Sequence, residues 1–141
     1  MIQVKKFDFS DEELAAHARA IRHSVFVEEQ GVDAALEYEH DEEARHYLLF
    51  IGEKPIATAR WRRTEKGIKL ERFAVLPQFR NRGMGEIILS EVLKDLTAEK
   101  VLIYLHSQIK AVPFYERAGF EKEGKMFREA GIEHFLMFYR R

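Results

Sequence analysis

The chain has 141 residues, 46% hydrophobic and 33% charged, a balance that predicts one folded domain with one core and excludes a disordered chain. Its net charge of −1 gives no global attraction to nucleic acid or to an anionic membrane, and no apolar run approaches the ~20 residues that span a bilayer. Cysteine is absent, which excludes disulfides, thiolate zinc sites and a cysteine nucleophile; with no signal-peptide hydrophobic region after Met1, a soluble cytoplasmic protein is expected.

Taken in order, Ile2 to Phe9 alternates apolar and polar residues and predicts a first strand. Ser10 is placed to cap a helix, with Glu13 completing a capping box, and Leu14, Ala18, Ile21, Val25 and Phe26 carry that helix to about Glu29. The acidic segment Ala34 to Ala44 reads equally as short helix or loop. Three strands follow, His46–Ile51, Ile56–Arg62 and Ile68–Val75, joined by Gly-containing turns into an antiparallel meander. Gly85 to Ala98 is a helix with one apolar face of Ile88, Leu89, Val92, Leu93 and Leu96. The apolar run Val101 to Leu105 then suits a central strand, parallel to Ile68–Val75 across a right-handed helical crossover. A second helix over Ile109 to Ala118 stops at Gly119, and strands Phe120–Met126 and His134–Tyr139 close the chain across Glu129-Ala130-Gly131.

Chemistry concentrates where the third meander strand ends. Val75-Leu76-Pro77 is followed by Gln78-Phe79 and then Arg80-Asn81-Arg82-Gly83-Met84-Gly85-Glu86 at the start of the long helix. A glycine turn capping a helix aims several backbone N–H groups at one point, where the helix dipole also favours an anion. A dinucleotide fingerprint does not fit, because its third glycine position is Ile88, and no phosphate-loop Gly-Lys-Ser or Gly-Lys-Thr exists.

The pattern Val-x-Pro-x-x-Arg-x-x-Gly-x-Gly, after a strand and before a helix, resembles motif A of the GNAT superfamily of acyl-CoA N-acyltransferases. Pro113-Phe114-Tyr115-Glu116-Arg117-Ala118-Gly119-Phe120 resembles motif B of the same superfamily. The segments Arg22 to Gly31 and Glu129 to His134 further resemble its small bacterial branch typified by the ElaA and YjcF proteins. The resemblance implies an α/β fold with a mixed, mostly antiparallel sheet of about six or seven strands and about four helices, splayed between the fourth and fifth strands.

It also implies acetyl-CoA as the acyl donor, held by the backbone of Phe73, Ala74 and Val75 along the pantetheine and by Arg80, Asn81, Arg82, Gly83, Met84, Gly85 and Glu86 at the pyrophosphate. Phe114 and Tyr115 complete the cofactor site, and Tyr115 matches the residue that meets the departing thiolate. The fifth strand commonly ends in Asn in this superfamily; here it reads His106-Ser107-Gln108, so Gln108 becomes a cofactor contact and His106 an acid–base group. An amine of pKa ~10 must lose a proton before it attacks, which calls for a base. Glu71, placed by strand alternation on the face of Phe73 and Val75, is one choice; its alternative is an ion pair with Arg60 or Arg72.

The acceptor implied is a primary amine on a small molecule or peptide. The acidic run Glu37, Glu39, Asp41, Glu42, Glu43 favours a cationic one if it lines the site, and is a solvated face if it does not. His134 either lines that pocket or is a satisfied strand residue. No histidine spacing supports a metal, and His40 and His46 read as loop and strand-start positions. Homodimers are frequent in the superfamily, and Phe127, Phe135, Phe138 and Tyr139 would serve an interface if exposed. Two rival readings stay open, a non-catalytic acyl-CoA-binding regulatory domain and a protein-interaction module with an incidental glycine turn.

Overall fold

A computed structural model describes residues 1–140. Among them one sheet contains β1 (Ile2–Phe7), β2 (Arg45–Ile51), β3 (Lys54–Arg63), β4 (Ile68–Val75), β5 (Ile103–Gln108), β6 (Phe120–Glu129) and β7 (Ile132–Tyr139). The spatial order is β1-β2-β3-β4-β5-β7-β6, and every neighbouring pair is antiparallel except β4 with β5. The helices are α1 (Glu12–Arg22), which runs on as a π-helical segment (His23–Glu29), α2 (Ala34–Glu37), α3 (Met84–Leu96) and α4 (Val112–Arg117). None is long and apolar enough to cross a membrane. The mixed, mostly antiparallel α/β architecture expected from the sequence is therefore present.

Several boundaries move for local reasons. Asp11, not Ser10, caps α1: its carboxylate accepts from the Leu14 N–H at 3.1 Å, while the Ser10 N–H donates to Asp8 at 3.0 Å. Aspartate caps as well as serine and adds negative charge at the positive end of the helix dipole. β5 starts two residues into its apolar run, because the Leu102 carbonyl turns to accept from the Ile68 N–H at 2.8 Å and leaves Val101 and Leu102 exposed. It continues through His106, Ser107 and Gln108, whose backbones pair with β7. Pro113 is tolerated only in a first helical turn, so α4 begins at Val112 after a 3₁₀ turn, Ile109–Ala111.

Helices cover both faces of the sheet. On one, the stripe Ile88, Leu89, Val92, Leu93 and Leu96 of α3 packs on Tyr47, Leu49, Ala57, Ala59 and Leu70. Each such side chain contributes about 1.5–3 kcal/mol relative to exposure. On the other, Ala15, Ala18 and Ile21 of α1, with Val25 after it, pack on Leu48, Phe50 and Ala74.

One irregularity sets up the site. β3 and β4 pair Thr58 with Ala74 but Arg60 with Glu71, so two residues of β4, Arg72 and Phe73, lie opposite the single residue Ala59. Arg72 takes φ +59, a left-handed conformation that costs a non-glycine residue about 1–2 kcal/mol. A bulge of this kind inverts the alternation. Before it Ile68 and Leu70 face α3; after it Phe73 and Val75 do. Glu71 pairs with Arg60 on the α1 side, so the expectation that Glu71 shares a face with Phe73 and Val75 does not hold.

Candidate active site

β4 and β5 are paired only over Ile68–Leu70 and Ile103–Leu105; past the bulge they part. No strand neighbours Phe73–Val75 on the β5 side, so an extended backbone edge lines the gap. The gap is a cleft of about 590 Å³, within the range of small-molecule sites. Of the sequence-derived site residues, Glu71, Phe73, Ala74, Val75, Arg80, Asn81, Gly83, Met84, Gly85, Glu86, His106, Gln108, Phe114 and Tyr115 line it. Arg82 does not; its guanidinium lies 5.9 Å from the centre of the Phe79 ring.

At one end stands the glycine turn. Asn81 (φ +62) and Gly83 (φ +79) are both left-handed, and Gly83 is the N-cap of α3 with no side chain bonded to the first-turn amides. Those N–H groups are thus presented to the cleft as an anion cradle. A Cβ on Gly85 would come within 3.3 Å of the Phe114 ring, so glycine there keeps the turn close to α4. Arg80 does not point into the cradle. It donates from Nε to the Val75 carbonyl at 2.9 Å and from both terminal nitrogens to Glu29 of the π-helical segment, at 2.8 and 2.7 Å.

Midway, Tyr115 stands edge-on to Phe73, Phe114 and Phe120, with ring centres 6.1, 5.0 and 5.8 Å away. Burial raises its phenol above the ordinary value, so the hydroxyl keeps its proton. It is a donor, and its own ionisation is not part of its chemistry at neutral pH.

The far end is rich in titratable groups. Glu71 is buried and engaged by Arg60 (3.1 Å from Nε), Arg62 (2.6 Å) and Lys69 (3.4 Å). Burial alone would raise its pKa, but the charges of Arg60, Lys69, Arg72 and Arg62 push it down to about 2. His106 bonds through Nδ1 to Glu129 Oε1 at 2.9 Å, and His134 places Nε2 3.8 Å from Glu129 Oε2. His134 is both a lining residue and a satisfied one, since its Nδ1–H donates to the Ile132 carbonyl at 2.7 Å. The hydrogen bond from His106 holds the Glu129 carboxyl below the usual range against its burial, aided by the charge of Lys69. The Gln108 amide donates to Gln30 at 2.8 Å, tying β5 to the end of the π-helical segment.

Three members of the acidic run follow the solvated reading, and two follow neither reading. Glu37 and Asp41 are neither solvated nor facing the cleft; both are buried under arginines. Arg22 bonds Glu37 and reaches Asp41 at 2.8 Å, Arg60 reaches Asp41 at 2.6 Å, and Arg72 reaches Glu37 at 3.1 Å. Glu39, Glu42 and Glu43 are exposed. The two buried carboxylates thus fix the segment before β2, none of the five lines the cleft, and the case they made for a cationic acceptor falls away. Among the described residues no three His, Asp or Glu side chains converge as a metal site. Phe127, Phe135, Phe138 and Tyr139 are half-buried against Phe120, Tyr104, His106, His134 and the core, and form no exposed aromatic patch. Glu129 was not reached from sequence; its only signal is its place beside a hairpin turn that brings it under β5.

A sheet opened between parallel β4 and β5, with a glycine turn at the helix entering the opening, defines the acyl-CoA N-acyltransferase class. A family model described as "Acetyltransferase (GNAT) domain" matches residues 6–140, and the chain belongs to that family. The uncharacterized N-acetyltransferase YjcF of Bacillus subtilis (strain 168) is 38% identical over 132 residues, covering 90% of this chain and 93% of its own. Escherichia coli ElaA superposes with a TM-score of 0.88 over 99% of this chain and 100% of its own, at 23% identity. An aminoglycoside 6′-N-acetyltransferase in complex with coenzyme A has the same fold, with a TM-score of 0.76 at 14% identity over 96% and 95% of the two chains.

Proposed function

We propose that the protein transfers the acetyl group of acetyl-CoA to a primary amine of a small molecule or peptide, by direct attack within a ternary complex. The observation that carries this reading is the single cleft holding, in order, an uncapped helix N-terminus, an unpaired strand edge, a protonated phenol and an imidazole–carboxylate pair. The pyrophosphate of the donor would sit on the amides of Gly83 to Glu86, and its pantetheine amides would add to the free edge of Phe73–Val75 as a short extra strand. Tyr115 would then donate a hydrogen bond to sulfur as thiolate charge develops. Because an oxygen acid weaker than an ordinary phenol is a poor match for full transfer to a thiolate of pKa ~8.5, its main contribution is stabilising that charge.

For the base, His106 is favoured over Glu71. A carboxylate held at about 2 by four cations has little affinity for an ammonium proton, whereas His106 has one nitrogen engaged and the other left for the acceptor. The proton balance is simple. R–NH₃⁺ gives one proton to His106, the amine attacks the thioester carbonyl, the C–S bond breaks, and the second nitrogen proton ends on the coenzyme A thiol.

Calorimetry with acetyl-CoA tests the donor: saturable binding is expected, with about 2.7 kcal/mol of added stability at a hundredfold excess over Kd. Absence of binding at high micromolar concentration removes the reading. Thiol release over a panel of polyamines, amino sugars, aminoglycosides and peptide N-termini tests the transfer. Binding without release from any of them would favour the regulatory alternative.

A further inference from the structure

We propose that Glu129 is the positioning residue of the acceptor-side base: it locks the His106 imidazole with the proton on Nδ1 and Nε2 bare, and balances the charge that forms when Nε2 takes the acceptor's proton. The inference deepens the acyltransferase reading and rests on it. An ionised carboxylate has no hydrogen to give, so the hydrogen in the 2.9 Å contact between Glu129 Oε1 and His106 Nδ1 belongs to the imidazole. That settles the tautomer, since the partner of one ring nitrogen decides which nitrogen carries hydrogen in the neutral ring. Nε2 is then the lone pair available to the cleft that His106 lines.

A second imidazole stands near the carboxylate without hydrogen-bonding to it. His134 is fixed by its 2.7 Å bond to the Ile132 carbonyl, which leaves its Nε2 3.8 Å from Glu129 Oε2. Phe127 packs on both imidazoles, edge-on to His106 at 5.0 Å and stacked on His134 at 5.9 Å. Lys69 of β4 adds its charge to the same carboxylate. An isolated, partly exposed ion pair would be worth little. A carboxylate hydrogen-bonded to an imidazole packed against Phe127, both lining one cleft, is instead the arrangement that orients a base and stabilises its imidazolium.

During transfer the ammonium proton moves to His106 Nε2, giving an imidazolium whose Nδ1–H remains on Glu129. After the amide forms, that proton leaves from Nε2 to water, which restores the starting tautomer. No proton needs to cross to Glu129.

Long-range ¹H–¹⁵N spectra of the histidine side chains at pH 8 read the tautomer without any acceptor. His106 is expected as the Nδ1–H form in the native protein and in Glu129→Gln, whose amide oxygen still accepts. In Glu129→Ala it should revert largely to the Nε2–H form that a free imidazole prefers. With an amine that releases thiol, kcat should fall about 10-fold to 100-fold in both variants while KM for acetyl-CoA stays unchanged. An Nε2–H tautomer in the native protein, or a kcat for Glu129→Gln equal to the native value, overturns the proposal; the glutamine variant carries this test even if the alanine variant fails to fold. The expected tautomers without thiol release from any amine would count against acyl transfer and leave the lock standing.

Discussion

Tyr115 shows how surroundings select one role for a side chain. Three aromatic rings pack against Tyr115 and burial raises its pKa, so the hydroxyl of this cleft-lining residue stays protonated and available as a donor. Tyr115→Phe removes one oxygen and leaves the ring packing in place. It should lower kcat by about 10-fold to 100-fold and leave coenzyme A affinity within about twofold by calorimetry, because the lost hydrogen bond is made to charge that exists only in the transition state. An equal loss in affinity would instead make the hydroxyl a ground-state contact. Glu71 is the converse case. A carboxylate on β4 reads as a base until its four cationic neighbours are placed around it.

Among elements, the β6–β7 hairpin carries both Glu129 and His134, so its turn controls the site. Glu129 pairs with Ile132 across a two-residue turn in which Ala130 (φ +51) and Gly131 (φ +77) are both left-handed. Asparagine tolerates that conformation at a lower cost than alanine. Ala130→Asn should therefore raise stability by about 0.5–1 kcal/mol in urea unfolding with activity retained, whereas Ala130→Val should lower it. The elements legible in the sequence are those whose residue types answer directly to backbone geometry: the glycines of the α3 turn, the stripe of α3, the Gly-containing turns that join β2, β3 and β4. The rest depends on partners distant in the chain. Arg22 meets Glu37 and Asp41 across 15 and 19 positions, and His106 meets Glu129 across 23, so neither cluster has a local pattern. The bulge was hidden because nothing about an arginine announces a left-handed backbone at Arg72, and the side assigned to Glu71 went with it.

For the molecule as a whole, the buried charges set a dependence on pH. His46 packs against the rings of Phe7 and Phe9, and burial lowers its pKa from 6.5 to about 4. The unfolded chain takes up that proton near pH 6.5, whereas the folded protein resists it until about pH 4. Stability is therefore full above 6.5 and falls as pH drops through the window, by about 3 kcal/mol for this group. Glu71, lowered from 4.5 to about 2, contributes in the same direction in its own window and loses its contribution as pH falls from 4.5 toward 2. Urea midpoints should thus decline in two overlapping stages on acidification. His46→Gln should flatten the upper stage and leave the lower one; an unchanged slope between pH 6.5 and 4 would exclude His46 as its source.

The β4–β5 contact has a mechanical side. β1 to β4 and β5 to β7 are each tied by antiparallel ladders of five to seven residue pairs, whereas three residue pairs join the two leaves. With the fewest pairs of any neighbouring strands, that seam is expected to part first under load. An extended ligand laid along Phe73–Val75 would supply rungs that the chain itself lacks, and the sheet would be a continuous beam only while the cleft is filled.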